Sequence, residues 1–223
     1  MSAKSKNLKA PSWFEVGLGA VLSVVLGCAV GAALLVMHPV QKVKEIPKDA
    51  PAGAVYYIEG SRDFNRTEEV TEKRKALAGG ESVEVSEGEI NVFLGAISKP
   101  AAAAPKPGEK PPDTKALDVG GLNARIHDGK LQLADTVTVN LFGASGSFIV
   151  QATGGFENRG GGVEFVPESF YVGGCPVERL PVVRDILLKR LLLAQPVPDD
   201  LAAAWPKLAS VSVEGPMLRL KMP

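Results

Sequence analysis

The chain has 223 residues, 45% of them hydrophobic, with 25 basic and 25 acidic side chains. A formal net charge of zero gives no general attraction to nucleic acid. A single cysteine, Cys175, lies beyond residue 39, which excludes an internal disulfide scaffold and a cysteine-based metal site in that region.

Residues 1–12 read as a short polar, cytoplasmic N-terminus carrying Lys4, Lys6 and Lys9. Residues 13–39 read as a transmembrane anchor. Val16 to Met37 runs for 22 residues without charge or proline, about 33 Å of helix at 1.5 Å per residue. A hydrocarbon core is about 30 Å thick, whereas the apolar region of a secretory signal is about 7–15 residues. Two alternatives stay open: "AVGA" (Ala29 to Ala32) has small residues suited to a cleavage site, and "VLGC" (Val25 to Cys28) loosely resembles a lipobox. Both leave apolar residues on the mature end, so the sequence favours an uncleaved anchor. Lys42, Lys44 and Lys48 follow the span and nearly balance the lysines ahead of it, so flanking charge sets orientation only weakly. An N-terminal helix followed by one large domain favours a translocated C-terminal domain. Gly19, Ser23, Gly27 and Gly31 recur every four residues and form the candidate packing face, a small-residue stripe for self-association or a partner helix in the membrane.

Residues 40–53 read as a polar, proline-broken linker, and 54–223 as one α+β domain. "AVYYIEG" (54–60) predicts a short strand, and Asp63 to Gly80 predicts a charged helix closed by two glycines. "SVEVSEGEINVFLGAI" (82–97) predicts a strand turning into a helix at Ser86. Glu89 stands at capping-box spacing from that serine, and Ile90, Phe93, Leu94 and Ile97 lie on one apolar face. Glu87 and Glu89 are two apart and do not share a helix face, which argues against a paired-carboxylate site. The segment 98–116, rich in Pro, Ala and Lys, predicts a disordered insertion.

From Leu117 onward the pattern is β. Asp128-Gly129 predicts a tight hairpin, and alternation through Val137, Val139, Phe148, Val150, Val163 and Phe165 predicts an antiparallel meander forming a curved sheet. His127 reads as an exposed turn residue. The glycine clusters at 143–147 and 160–162 lack the lysine and the following helix that a phosphate loop needs. Helices are expected at Val182–Ala194 and Asp199–Leu208, then strands at Ser210–Glu214 and Met217–Met222. In the first helix Val183, Ile186, Leu187 and Leu191 line one face, widened by Leu188, Leu192 and Leu193. Leu187, Leu188, Leu191 and Leu192 are the candidate contacts for a hydrophobic ligand or a membrane.

An anchor, "VSEGEINVFL", a meander, "FYVGGCPVERLPVVRDILL" and closing strands together resemble, in order, the YpmS-like bacterial single-pass membrane proteins. The resemblance implies a cytoplasmic-membrane anchor with an extracytoplasmic, periplasmic domain. It carries over no catalytic residues; Gly173-Gly174-Cys175-Pro176 departs from the family's simpler turn, and 98–116 is an addition. No nucleophile, acid–base pair, metal cluster or cofactor motif stands out. The sequence therefore points to a non-enzymatic, membrane-anchored envelope protein that binds a lipid or other hydrophobic ligand through a curved sheet and apolar helix. The alternative is a structural or assembly protein acting through protein partners and the small-residue face of its anchor.

Overall fold

A computed structural model of the chain describes residues 12–38, 40–49, 51, 53–98, 117–141, 144–177, 181–193 and 197–223. Most of the expected insertion, 99–116, and the 142–143 glycine region lie outside the described residues.

Helix α1 (Trp13–Met37) starts with a capping box: Ser12 Oγ accepts from the Glu15 amide and the Glu15 carboxylate accepts from the Ser12 amide. None of its 25 residues is buried. It is long and apolar enough to cross a membrane, a measure that a signal sequence near the N-terminus also meets. Its length of about 37 Å exceeds a hydrocarbon core by about one helical turn.

Strand β1 (Gln41–Lys42) pairs in parallel with β2 (Tyr56–Tyr57). A 3₁₀ turn at Phe64–Arg66 leads into α2 (Thr67–Ala78), then β3 (Val83–Ser86) and α3 (Glu87–Ile97). Ser86 caps α3 through the box expected from sequence: its hydroxyl accepts from the Glu89 amide, and the Glu89 carboxylate accepts from the Ser86 amide at 2.7 Å.

The main sheet holds β4 (Leu117–Val119), β5 (Asn123–His127), β6 (Lys130–Leu141), β7 (Ala144–Arg159), β8 (Gly162–Val172) and β9 (Cys175–Pro176). Its order is β4-β6-β7-β8-β9, with β5 also paired to β6, and every pairing is antiparallel. This is the expected meander. The β5–β6 turn places Asp128 at φ 50° and Gly129 at φ 70°, the two positive angles of a type I′ hairpin. His127 is exposed beside it.

Helix α4 (Pro181–Leu187) continues into a π-helix over Leu188–Leu192, then α5 (Asp199–Ala204) with a 3₁₀ turn at Trp205–Lys207. Strands β10 (Ser210–Glu214) and β11 (Met217–Lys221) pair with β3 in a second antiparallel sheet, order β10-β11-β3. The principal core packs Val137, Val150, Ala152, Phe170 and Val172 of the main sheet against Leu94 of α3 and Leu188, Leu191 and Leu192 of the π-helix. A second cluster joins Val83, Leu218 and Leu220 to Leu77 and Leu208. The architecture is α+β.

The helical face expected over 183–193 is rotated. Ile186 is 52% exposed, while Leu188 and Leu192 are buried; the Val183 side chain lies outside the described set. The buried face follows Arg184, Leu187, Leu188, Leu191 and Leu192, a regular helical stripe centred about a quarter-turn away from the expected one. The segment ends in a wider turn in which the Leu193 amide donates to the Leu188 carbonyl at 3.0 Å, five residues back.

Candidate functional site

Between the two sheets, α2, α3, the π-helix and α5 lies a partly open cavity of about 730 Å³. Its walls are built by alternation and helical spacing. Val83 and Val85 come from β3, Ile90, Phe93, Leu94 and Ile97 from one face of α3, Leu131 and Leu133 from β6, and Leu218 and Leu220 from β11. The face of α3 that the sequence marks as apolar is therefore the face that borders the cavity. Phe156, Phe165 and Trp205 form an aromatic wall, with ring centroids 5.6 Å apart for the phenylalanines and 6.3 Å for Phe156 and Trp205. Trp205 is held in place by its indole N–H, which donates to the Val163 carbonyl at 2.9 Å.

Charged side chains also border the cavity, and most are engaged with one another. Lys73 Nζ donates to both Glu89 carboxylate oxygens at 2.7 and 2.9 Å. Burial pushes the Glu89 pKa up, but the Lys73 hydrogen bond and the Ser86 amide and hydroxyl outweigh it, so the carboxyl sits below the ordinary range. Arg74 grips Asp200 bidentately at 2.6 and 2.7 Å, and this bond holds the Asp200 carboxyl below its usual value. Arg159 pairs with Glu157, and Arg184 with Asp185. A carboxylate tied to a lysine and its own helix cap is a structural group and makes a poor proton shuttle. No group of three or more His, Cys, Asp or Glu side chains among the described residues could hold a metal ion.

The opposite side of α3 is polar and closed. Asn91 is fully buried; its Nδ2 donates to the carbonyls of Ser61 and Ala124, and its Oδ1 accepts from the Ala124 amide, all at 2.7 Å. One turn earlier, Glu87 accepts from the Ser61 amide at 2.6 Å and the Ile126 amide at 2.8 Å. These side chains supply the partners that a neighbouring strand would give the edge strand β5. Asn123 accepts from the Gly60 amide at 2.7 Å and the Tyr57 hydroxyl at 3.1 Å. Burial, with help from Glu59, pushes the Tyr57 pKa up to about 12. Gly60 fits because it has no side chain: a Cβ there would stand 1.9 Å from the Ala124 carbonyl oxygen. The expected strand at 54–60 forms a ladder only at Tyr56–Tyr57 because side chains satisfy the backbone after it.

A third feature joins the apolar helix to the domain. The Gly174 amide donates to the Leu35 carbonyl at 3.0 Å. A Cβ on Gly173 would lie 2.0 Å from the Val36 carbonyl oxygen, and Val36 packs against the principal core. The Gly173 amide donates to the Ile149 carbonyl at 2.8 Å, while Val40 packs beside Ile149 and Tyr57 on the other face of the sheet. Gly173 and Gly174 form the seat for the last turn of α1.

Of the four leucines singled out from sequence, Leu188 and Leu192 line the cavity. Leu191 is buried in the adjoining core, and Leu187 is half-buried at its margin. Leu188, Leu191 and Leu192 thus have no free surface to offer a bilayer. Gly19, Ser23, Gly27 and Gly31 lie on the exposed α1, with open space around the glycines, and Ser23 Oγ donates to the Gly19 carbonyl at 2.8 Å. Sequence reasoning missed Phe156, Trp205, Val83, Leu218 and Leu220 as cavity residues. Alternation marks such positions as inward-facing, but nothing in it distinguishes a filled interior from a hollow one. No protein-family model matches the chain, and neither curated proteins nor solved structures give a match.

Proposed function

We propose that this chain is a non-enzymatic, membrane-anchored protein that holds a hydrophobic ligand, an acyl chain, in the cavity between its two sheets. The observation that carries the reading is the cavity: about 730 Å³, walled by aliphatic and aromatic side chains, with most bordering charges committed to ion pairs. Ligand pockets commonly measure about 300–1,000 Å³ with apolar linings. Each methylene moved from water into such a space contributes about 0.8 kcal/mol. An apolar cavity of this kind holds water poorly, which leaves it available to an apolar guest.

The anchor is retained in this reading. The Gly173–Gly174 seat supports it, since cleavage within α1 before Leu35 would strip the seat's partner of its helix. In keeping with the YpmS-like resemblance, we assign the domain to the outer side of a bacterial cytoplasmic membrane.

The test is titration of the full chain in nanodiscs with a dansyl-labelled fatty acid. The expected result is a saturable component above bilayer partitioning. Apparent affinity should be weakened about tenfold, or 1.4 kcal/mol, by Val85→Phe, which projects a ring into the cavity. Absence of any saturable component would contradict the reading.

A second reading, assembly through a partner helix, is favoured by the open small-residue face at Gly19, Gly27 and Gly31. Gly27→Leu should then lower self-association in membranes; unchanged association would exclude that face.

A further inference from the structure

Four large apolar side chains stay exposed in the C-terminal third: Ile186 at 52% on α4, Leu193 at 45% at the end of the π-helix, Val197 at 55% ahead of α5 and Trp205 at 37% after it. Ile186 in the helix and Leu193 at its C-cap bracket Lys189 and Arg190, which are exposed as well. The face is therefore apolar at its ends and basic in its middle. Nearby acids are present too: Asp185 is taken by Arg184, while Asp199 and Glu164 are exposed. Lys189, Leu193, Val197 and Trp205 are exposed and also border the cavity, so part of this face lies at its rim.

The topology ties this part of the chain to the end of the anchor. Strand β9 follows the glycine seat that grips the last turn of α1. Pro181 begins α4 seven residues after Gly174 of the seat, a reach of at most about 25 Å, so the chain ties the start of α4 to the end of the anchor. The seat, pinned to Ile149 on one side and to Leu35 on the other, limits how far the domain can swing away.

We propose that the exposed face of the α4–π-helix segment, Ile186, Lys189, Arg190 and Leu193 with Val197 and Trp205, lies in the interface of an anionic bilayer. It turns the cavity mouth toward the lipid. Apolar ends enter the acyl boundary while Lys189 and Arg190 meet phosphate groups, the usual division of labour in an interfacial helix.

The inference rests on the retained anchor, which the intact mass of the membrane-extracted chain checks separately. A mass lacking residues of α1 would remove that foundation. The docking test uses the full chain with Cys28→Ala and Cys175→Ala. A nitroxide is placed at Ile186→Cys, which does not border the cavity, or at Asn158→Cys near the β7–β8 turn as a reference. Both are reconstituted in vesicles of equimolar phosphatidylglycerol and phosphatidylcholine. The label at 186 should show several-fold higher accessibility to oxygen than to a water-soluble nickel chelate, relative to 158. The difference should shrink in pure phosphatidylcholine and vanish with Lys189→Glu/Arg190→Glu. Equal, water-like accessibility at both sites would overturn the proposal. So would protection at 186 that follows protein concentration instead of lipid charge, which would give the face to a second copy. If 186 stays in water while the dansyl fatty acid still binds saturably, the docking fails and the cavity reading stands; the reverse result separates them the other way.

Discussion

Helix α3 borders two unlike interiors. On one side Glu87 and Asn91 bind the Ser61 amide and carbonyl, the Ala124 amide and carbonyl and the Ile126 amide with bonds of 2.6–2.8 Å. There the fit is so tight that Gly60 has no room for a methyl group. On the other side Ile90, Phe93, Leu94 and Ile97 face a cavity of about 730 Å³. The difference teaches where this molecule keeps its stability and where it leaves space. A cavity of that size lowers stability relative to a filled core, so the closed polar side must help hold α3 against the sheet.

The sharpest way to break this contrast is at the polar side. Asn91→Leu removes three hydrogen bonds and strands the Ala124 amide and carbonyl and the Ser61 carbonyl. It should cost about 3–5 kcal/mol, read as a lowered urea midpoint of the full chain in detergent. Gly60→Ala should cost about 1–3 kcal/mol or more, because the new methyl can be housed only by moving backbone. If either variant melts like the parent, the polar side carries no special share of stability. Gly174→Val comes next: its Cβ would lie 2.9 Å from the Leu35 carbonyl oxygen and 3.1 Å from His38 Cβ. Hydrogen exchange of the backbone amide at position 174 should rise while the global midpoint changes little, since only the seat opens.

On the hollow side the expectation reverses. Val85→Phe adds a large ring where space exists and should shift stability by less than about 1.5 kcal/mol while blocking the ligand. The smallest effect belongs to pH. The Glu89 carboxyl is held below its unfolded value, so its contribution is present above about pH 4.3 and fades as pH falls through the folded value. Glu89→Gln should flatten the decline in urea midpoint between neutral and acidic pH; an unchanged decline would assign acid sensitivity elsewhere.

Much of this frame was legible in the residues themselves. The capping box at Ser86–Glu89, the Asp128-Gly129 hairpin and the meander follow from local chemistry, as does the apolar face of α3. The second sheet is a different matter. Met217↔Ser86 and Leu218↔Val85 are paired across more than half the chain, and local periodicity carries no information on such partners. The orientation of the 181–193 helix is likewise not local: leucines lie on both sides of Leu187, so a 3.6-residue period fits either stripe, and packing on the sheet selects Leu188, Leu191 and Leu192. Asn91 and Gly60 looked ordinary in sequence; their roles arise only when β5 and the 57–61 segment meet α3. The candidate leucines were chosen for surplus hydrophobicity, a property that serves core and cavity wall alike.

The most direct measurement is native mass spectrometry of the full chain released from nanodiscs, parent beside Val85→Phe, each first shown to unfold cooperatively. The account predicts that the parent keeps one additional mass in the lipid range after the bilayer lipids are stripped, and that the filled variant emerges bare. Two bare proteins, or an equal lipid load on both, would contradict it.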